Sequence, residues 1–356
     1  MKMLFISRAY PPIIGGLEQH NHALHEALLS KAFVEAIINR NGKKALFWFL
    51  PLATLKAFCR LSEFDVVLLG DGLLAVLGWI IKLFRPTTSV ICIVHGLDIT
   101  YQNPIYQFFW VKIFLPKMDQ VVAVSQATAD VAIQKGLLAS RVTVIPNGTH
   151  QREKQFPRDR NKLNELLNIK TENKTILFTL GRLVRRKGVN WFVQQVMPKI
   201  QDHCIYLIAG DGVEKAAIEK SIQEYRLEKS VYCFGFVIDE LKSFLFTNSD
   251  LFIQPNIKVD GDMEGFGIAV LEANAYGLAV LGSKLEGLQD SITENKNGWL
   301  LEPGDASAYI LKLNELSMQP SKLNTAGREA KIFCHQHFSW ECIAEQYLNV
   351  AKKLSV

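Results

Sequence analysis

Apolar positions along this chain follow two periods. Short runs that are apolar at nearly every position, such as 65–69, 89–94, 175–180 and 204–209, have strand length, and without polar alternation they predict strands buried on both faces. Longer stretches carry apolar residues three, four or seven apart, as Leu17, Leu24 and Leu28 do, and predict helices. The order is strand, glycine or polar turn, helix, repeated. A strand at 3–7 precedes a helix at 18–29, and helices at 73–84, 105–118 and 126–135 lie among strands at 65–69, 89–94, 120–124 and 142–145. The alternation restarts at 175–180 with a helix at 189–200, then strands at 204–209, 231–236, 250–255, 278–283 and 298–301. Helices at 305–316, 321–335 and 340–353 close the chain. This is α/β patterning of the parallel, doubly wound kind.

Between the two series, residues 150–174 turn charged and polar around Pro157, as a linker and entry helix would. At 356 residues the chain exceeds one ordinary core. The expected domains are residues 1–155 and 156–337, with 338–356 a final helix. Residues 30–63 are the least regular part. Their cluster at 47–52 and 55–58 reads either as core or as an exposed patch resting on a membrane.

Composition narrows the class. With 49% hydrophobic and 21% charged residues, the chain is globular rather than disordered. The six cysteines form no C-x-x-C pair, and Cys92, Cys204 and Cys233 fall within strands, as reduced thiols of a cytosolic protein would. The apolar start is too short for a signal peptide. The run 64–84 is interrupted by Gly70, Asp71, Gly72, Gly78 and Lys82, so no membrane span of about 18 residues is expected. A net charge of +5 suits anionic substrates or an anionic membrane surface. No nucleic-acid partner is expected. His20, His22 and His25 lack a shared ligating face and read as helix histidines. Asp260 and Asp262 read as loop polarity, so no metal is expected.

The candidate chemistry centres on Glu264-Gly265-Phe266-Gly267-Ile268-Ala269-Val270-Leu271-Glu272. Its glycines precede an apolar run that forms a helix, whose free N–H groups and dipole favour an anion. Glu264 belongs to the preceding loop and Glu272 to the helix. Eight residues of helix rise roughly 12 Å, enough to hold two parts of an elongated polar ligand. An acidic-capped surface helix would show the same letters. Arg182 and Lys187 follow a strand and precede a helix, where both reach an anion at the strand ends. Arg185 and Arg186 read as a solvated face. Ser125 reads as a helix cap.

The E-x7-E spacing of Glu264 and Glu272 resembles the signature of retaining glycosyltransferases of family 4. Other motifs follow in the family's order: Tyr10-Pro11-Pro12 with Gly15-Gly16, His95-Gly96-Leu97-Asp98, Pro146-Asn147-Gly148, Gly181-Arg182-Leu183 with Lys187-Gly188, and Gly210-Asp211-Gly212. The resemblance implies a GT-B fold, two Rossmann-like domains facing across a cleft, with the last helix returning to the N-terminal domain. It implies transfer of a sugar from a nucleotide-diphosphate donor to a glycan or lipid-linked hydroxyl, without a cofactor. It makes Arg182 and Lys187 diphosphate ligands and puts His95 beside the donor sugar, with His95, Arg182, Lys187 and Glu264 the catalytic set. Gly15, Gly16, Gly235, Phe236, Gly265, Phe266, Gly267, Ile268 and Glu272 join the donor site, and Asp98 faces the acceptor. Cell-surface polysaccharide or lipopolysaccharide synthesis is the setting it implies; the cysteines point to the cytoplasm, and the net charge, with Lys43-Lys44 beside Phe47-Trp48-Phe49 and the run Phe108-Phe109-Trp110, suits peripheral docking on an anionic membrane. Two departures stand out: the short apolar 30–63 region, which faces the acceptor in the family, and Glu286-Gly287-Leu288-Gln289 in place of a paired-glycine turn. A sugar-nucleotide epimerase and a non-catalytic nucleotide-sugar binder remain as rival readings.

Overall fold

The computed structural model describes residues 1–13, 15–150 and 157–355. The chain divides into two compact units. The first holds 1–148, 261–266 and 338–356, and the second holds 149–260 and 267–337. The boundary expected at 155/156 lies outside the described residues.

The first unit is a six-stranded sheet, β1 (Lys2–Ser7), β2 (Phe33–Ile38), β3 (Val66–Leu69), β4 (Ser89–Val94), β5 (Gln120–Ala123) and β6 (Val142–Val144), in the order β2-β1-β3-β4-β5-β6. Every pairing is parallel, so each connection crosses over a sheet face, commonly as a helix. Alternate residues serve the two faces. Leu4, Ile6, Val67, Leu69, Val90 and Cys92 pack beneath helices α2 (Leu46–Arg60) and α3 (Ala75–Phe84). On the other face Phe5 stacks on His25 of α1 (Gly16–Leu29), 5.6 Å between ring centroids. The final helix, Trp340–Leu354, packs against α1, and Lys31 meets Glu345 at 2.6 Å.

Two parts of this unit differ from the sequence expectation. Residues 33–38 form an edge strand, and 46–60 form a helix that buries only Ala53 and Ala57 fully. Phe49, Leu50 and Phe58 are partly buried against the core, whereas Phe47, Trp48, Leu52 and Leu55 are exposed. The predicted helix at 105–118 is present, with a π-helical middle at Gln107–Phe114.

The second unit repeats the architecture with β7 (Thr175–Leu180), β8 (Cys204–Ala209), β9 (Val231–Cys233), β10 (Leu251–Gln254), β11 (Val280–Ser283) and β12 (Gly298–Leu301), all parallel, in the order β12-β11-β10-β7-β8-β9. The strand period of two separates two cores cleanly. Leu177, Tyr206 and Ile208 enter one with Phe192 and Tyr309, and Ile176, Phe178 and Leu207 enter the other with Phe246 and Val270. Each unit is thus Rossmann-like.

Candidate active site

In open parallel sheets the ligand crevice forms where neighbouring crossovers leave in opposite directions, outside the carboxyl ends of the strands. In the first unit that point lies between β1 and β3. Arg8 follows β1 and Asp71 follows β3, and Arg8 Nε donates to Asp71 Oδ1 over 2.8 Å. The Leu73 N–H also donates to Asp71 Oδ1, at 3.0 Å, while Asp71 Oδ2 is buried without a partner. β4 delivers His95, and α4 (Gly96–Thr100) begins immediately after it.

Asp98 binds the turn around His95. Its Oδ2 accepts from the His95 N–H at 2.9 Å and the Gly72 N–H at 3.2 Å, tying the ends of β3 and β4 together. Burial pushes the Asp71 and Asp98 carboxyls above the usual carboxylate range, with Arg8 pulling both back. Burial lowers His95 to about 4, against the opposite pull of Asp71 and the Gly70 carbonyl. His95 is therefore a neutral imidazole. The residue keeps partial exposure, yet its Nε2 is sealed from solvent and has no partner. His20, also held neutral chiefly by burial, stands edge-on to it at 5.0 Å and to Trp340 at 5.3 Å.

The segment 261–266 belongs to this same unit and brings Glu264 with it. A Cβ on Gly96 would lie 3.1 Å from the Gly265 Cα, so the residue after His95 and the residue after Glu264 touch backbone to backbone. Glu264 is buried at 7% exposure. The Phe266 side chain is also buried and faces Phe338 at 6.1 Å, which leaves its backbone rather than its ring for a ligand. Gly15 is extended, with φ 174° and ψ 162°, directly before the first residue of α1, Gly16.

In the second unit the order reverses between β7 and β10, and Arg182 and Lys187 sit in the loop after β7. Gly188 fixes that loop. It takes the left-handed φ of 66°, and a Cβ there would come within 1.8 Å of the Pro255 carbonyl oxygen at the end of β10, so only glycine fits. Lys187 runs back along the loop, its Cε 3.8 Å from where a Gly181 Cβ would stand. Arg182 is exposed, and Arg186 is buried rather than solvated as expected.

The helix Ile268–Ala275 opens after Gly267, whose φ of 86° starts the chain in the left-handed region with no side-chain cap on the first turn. Glu272 lies within this helix, one quarter exposed, its Oε1 3.5 Å from Lys242 Nζ. Lys242 also pairs with Asp239 at 3.0 Å. At the end of β9, the Gly235 carbonyl accepts from the Gly210 N–H at 2.7 Å, and Phe236 is exposed. Glu286, at the departure from the paired-glycine turn, takes a left-handed φ of 48° without being glycine.

The structure thus gathers Gly15, Gly16, His95, Asp98, Glu264, Gly265 and Phe266 in the first unit. Arg182, Lys187, Gly235, Phe236, Gly267, Ile268 and Glu272 lie in the second. Sequence reasoning missed Arg8 and Asp71. Their only signal was that each follows a strand of the same sheet.

Two family descriptions match this chain: Glycosyltransferase Family 4 over residues 14–152 and Glycosyl transferases group 1 over 160–333. The chain belongs to the group 1 glycosyltransferases. It is 28% identical over 266 residues to the amylovoran biosynthesis glycosyltransferase AmsK of Erwinia amylovora, covering 72% of this chain and 62% of that protein. It is 26% identical over 245 residues to a lipopolysaccharide 1,2-N-acetylglucosaminetransferase of Salmonella typhimurium, covering 65% of this chain and 62% of that one. Its fold superposes on Anabaena HepE in complex with UDP, TM-score 0.79 at 21% identity over 99% of this chain and all of that one. It also superposes on the catalytic domain of starch synthase IV from Arabidopsis thaliana bound to ADP and acarbose, TM-score 0.79 at 14% identity over 99% of both chains.

Proposed function

We infer that this glycosyltransferase moves a sugar from a nucleoside-diphosphate donor to a hydroxyl of a glycan or lipid-linked acceptor, in building a surface polysaccharide or lipopolysaccharide. Retention at the anomeric carbon and independence of metal complete the reading. The observation that carries it is the loop 181–188, locked by Gly188 at the strand-order reversal with Arg182 and Lys187 in it. HepE bound to UDP and starch synthase IV bound to ADP support the donor class, and AmsK and the Salmonella transferase support the acceptor class.

In this reading Arg182, Lys187 and the amides at the start of Ile268–Ala275 stabilise the diphosphate as it leaves with the bonding electron pair. Glu264 holds sugar hydroxyls, Glu272 the ribose diol, and Gly235-Phe236 the base. Retention through a covalent sugar would need two carboxyls about 5 Å apart flanking the bond. Glu264 and Glu272, engaged with different parts of the donor, do not form such a pair. The acceptor hydroxyl instead enters on the face the diphosphate leaves and passes its proton to the departing oxygen. Neutral His95 polarises that space, while Asp98 holds the turn that presents it.

Incubating the protein with labelled UDP-, GDP- and ADP-sugars and candidate acceptors tests the reading. Transfer with a retained anomeric configuration by NMR, undiminished in EDTA, is expected. Inversion, or loss in EDTA restored by Mg²⁺ or Mn²⁺, would overturn the mechanism. Interconversion of the donor sugar, or binding with no transfer, would replace it with an epimerase or a silent binder.

A further inference from the structure

The first unit carries an outer surface that its own fold leaves uncovered. Helices α2, α3 and Gln107–Phe114 lie side by side on one face of the sheet, with α3 in the middle. Their inner sides build the core. Their outer sides hold large apolar residues in water: Phe47 is 77% exposed, Trp48 69%, Leu55 64% and Phe84 66%, with Ile105 at 67% and Phe108 at 54% beyond them. Two open apolar grooves flank α2. One of about 960 Å³ runs along Trp48, Phe49, Leu52 and Lys56, and one of about 590 Å³ lies between Pro51, Phe58, Ile80 and Phe84. Neither groove is lined by the candidate active-site residues. A lone exposed leucine is ordinary, but a helical layer this apolar on its outside marks a contact surface.

The charge on the layer selects the occupant. Residues 41–62, 72–88 and 99–118, which make up these helices and their ends, contain eight Lys or Arg and no Asp or Glu. Arg60 and Lys82 are held by carboxylates from outside these segments, Glu35 and Glu63 for one and Asp119 for the other. Lys44, Lys56, Arg85, Lys112 and Lys117 are exposed. Aromatic and aliphatic side chains among cations, with the nearby carboxylates Glu35, Glu63 and Asp119 each paired to Arg60 or Lys82, match the interface of a bilayer containing anionic lipid. A second copy of the chain fits poorly, because a two-fold contact would set this face against itself and bring its cations together. No helix among the described residues is long and apolar enough to cross a membrane, so the contact lies in the surface plane.

We propose that the outer face of α2, α3 and Gln107–Phe114 docks the protein on an anionic lipid surface, with Phe47, Trp48 and Leu55 entering the headgroup boundary. This deepens the lipid-linked acceptor reading and rests on it for its purpose, though docking itself needs no turnover.

The test is sedimentation of the whole protein with vesicles of phosphatidylcholine, with and without one-third phosphatidylglycerol. Binding to the anionic vesicles alone, weakening as salt rises, is expected. Phe47→Ser with Trp48→Ser should cut the bound fraction about tenfold or more by removing buried apolar area. Lys56→Glu with Lys112→Glu should also lower it. Donor binding, read by thermal shift with UDP, should stay at the parent value in all variants. Failure to sediment, equal binding to neutral vesicles, or unchanged binding of the Phe47 and Trp48 variant would overturn the proposal. So would a concentration-dependent dimer abolished by those substitutions. Vesicle binding by a protein that binds none of UDP, GDP and ADP would leave the docking face standing and sink the enzymatic reading, and nucleotide binding without vesicle binding would do the reverse.

Discussion

Arg8 Nε and Asp71 Oδ1 lie 2.8 Å apart, joining the ends of β1 and β3 where the strand order of the first unit reverses. Asp71 is fully buried, so its partner cannot be removed without leaving a charge stranded. Arg8→Met should destabilise the protein by about 3 to 5 kcal/mol, and Arg8→Met with Asp71→Leu by clearly less, because the pair is costly to break and cheap to replace. Urea unfolding of the two variants checks this. A double variant that loses as much as Arg8→Met alone, or more, would show that Asp71 is not left stranded when Arg8 is removed.

Arg182→Ala and Lys187→Ala should each lower kcat by a hundredfold or more, corresponding to about 3 to 4 kcal/mol of lost leaving-group stabilisation. Both side chains lie outside the cores, so the melting temperature should hardly move. Turnover near the parent rate in either variant would remove that residue from the diphosphate site.

Gly188→Ala tests the loop that presents them. The left-handed backbone costs about 1 to 3 kcal/mol for a residue with a side chain, and a Cβ 1.8 Å from the Pro255 oxygen must also move the end of β10. Stability and activity should fall together, unlike the Lys187 variant, in which activity alone falls. Calorimetry alongside kinetics separates the two.

Stability should depend on acid in a definite direction. His95 is lowered to about 4 and His20 well below its usual value, so between pH 6.5 and 4 the unfolded chain takes up protons that the folded chain refuses. The melting temperature should therefore decrease as pH drops through that window. His20→Phe keeps a ring beside Trp340 but cannot titrate, and should make the decrease shallower. The raised carboxyls of Asp71 and Asp98 act in the opposite sense, so the comparison with His20→Phe isolates the imidazole, and an identical pH profile in the two proteins from pH 6.5 to 4.5 would refute the assignment of His20.

The strands were legible because a parallel sheet covered on both faces leaves unbroken apolar runs such as Val66–Leu69 and Ser89–Val94. The edge strand Phe33–Ile38 escaped notice because only Val34 is fully buried, so its pattern is broken. Helix α2 escaped for a different reason: its apolar residues serve both the core and the outside, so no single face shows the helical period, and no capping side chain marks its start. Among candidate site residues, Lys187-Gly188 and Glu264 stand in local motifs that can be read along the chain. Arg8 and Asp71 stand 63 positions apart and become neighbours only through the pairing of β1 with β3. Arg186 was misread because a run of three cations gives no hint of which one turns inward.

The path of the backbone passes between the units four times, at 148/149, 260/261, 266/267 and 337/338. The last three passages decide what can be inherited as a block. A fragment ending near residue 148 would keep all six strands of its sheet but lose Gly265 from beside Gly96 and Trp340 from beside His20. A single recombination between relatives would therefore pair one parent's His95 with the other parent's Glu264. Exchanging the whole first unit of this chain requires transplanting three separate pieces of sequence at once.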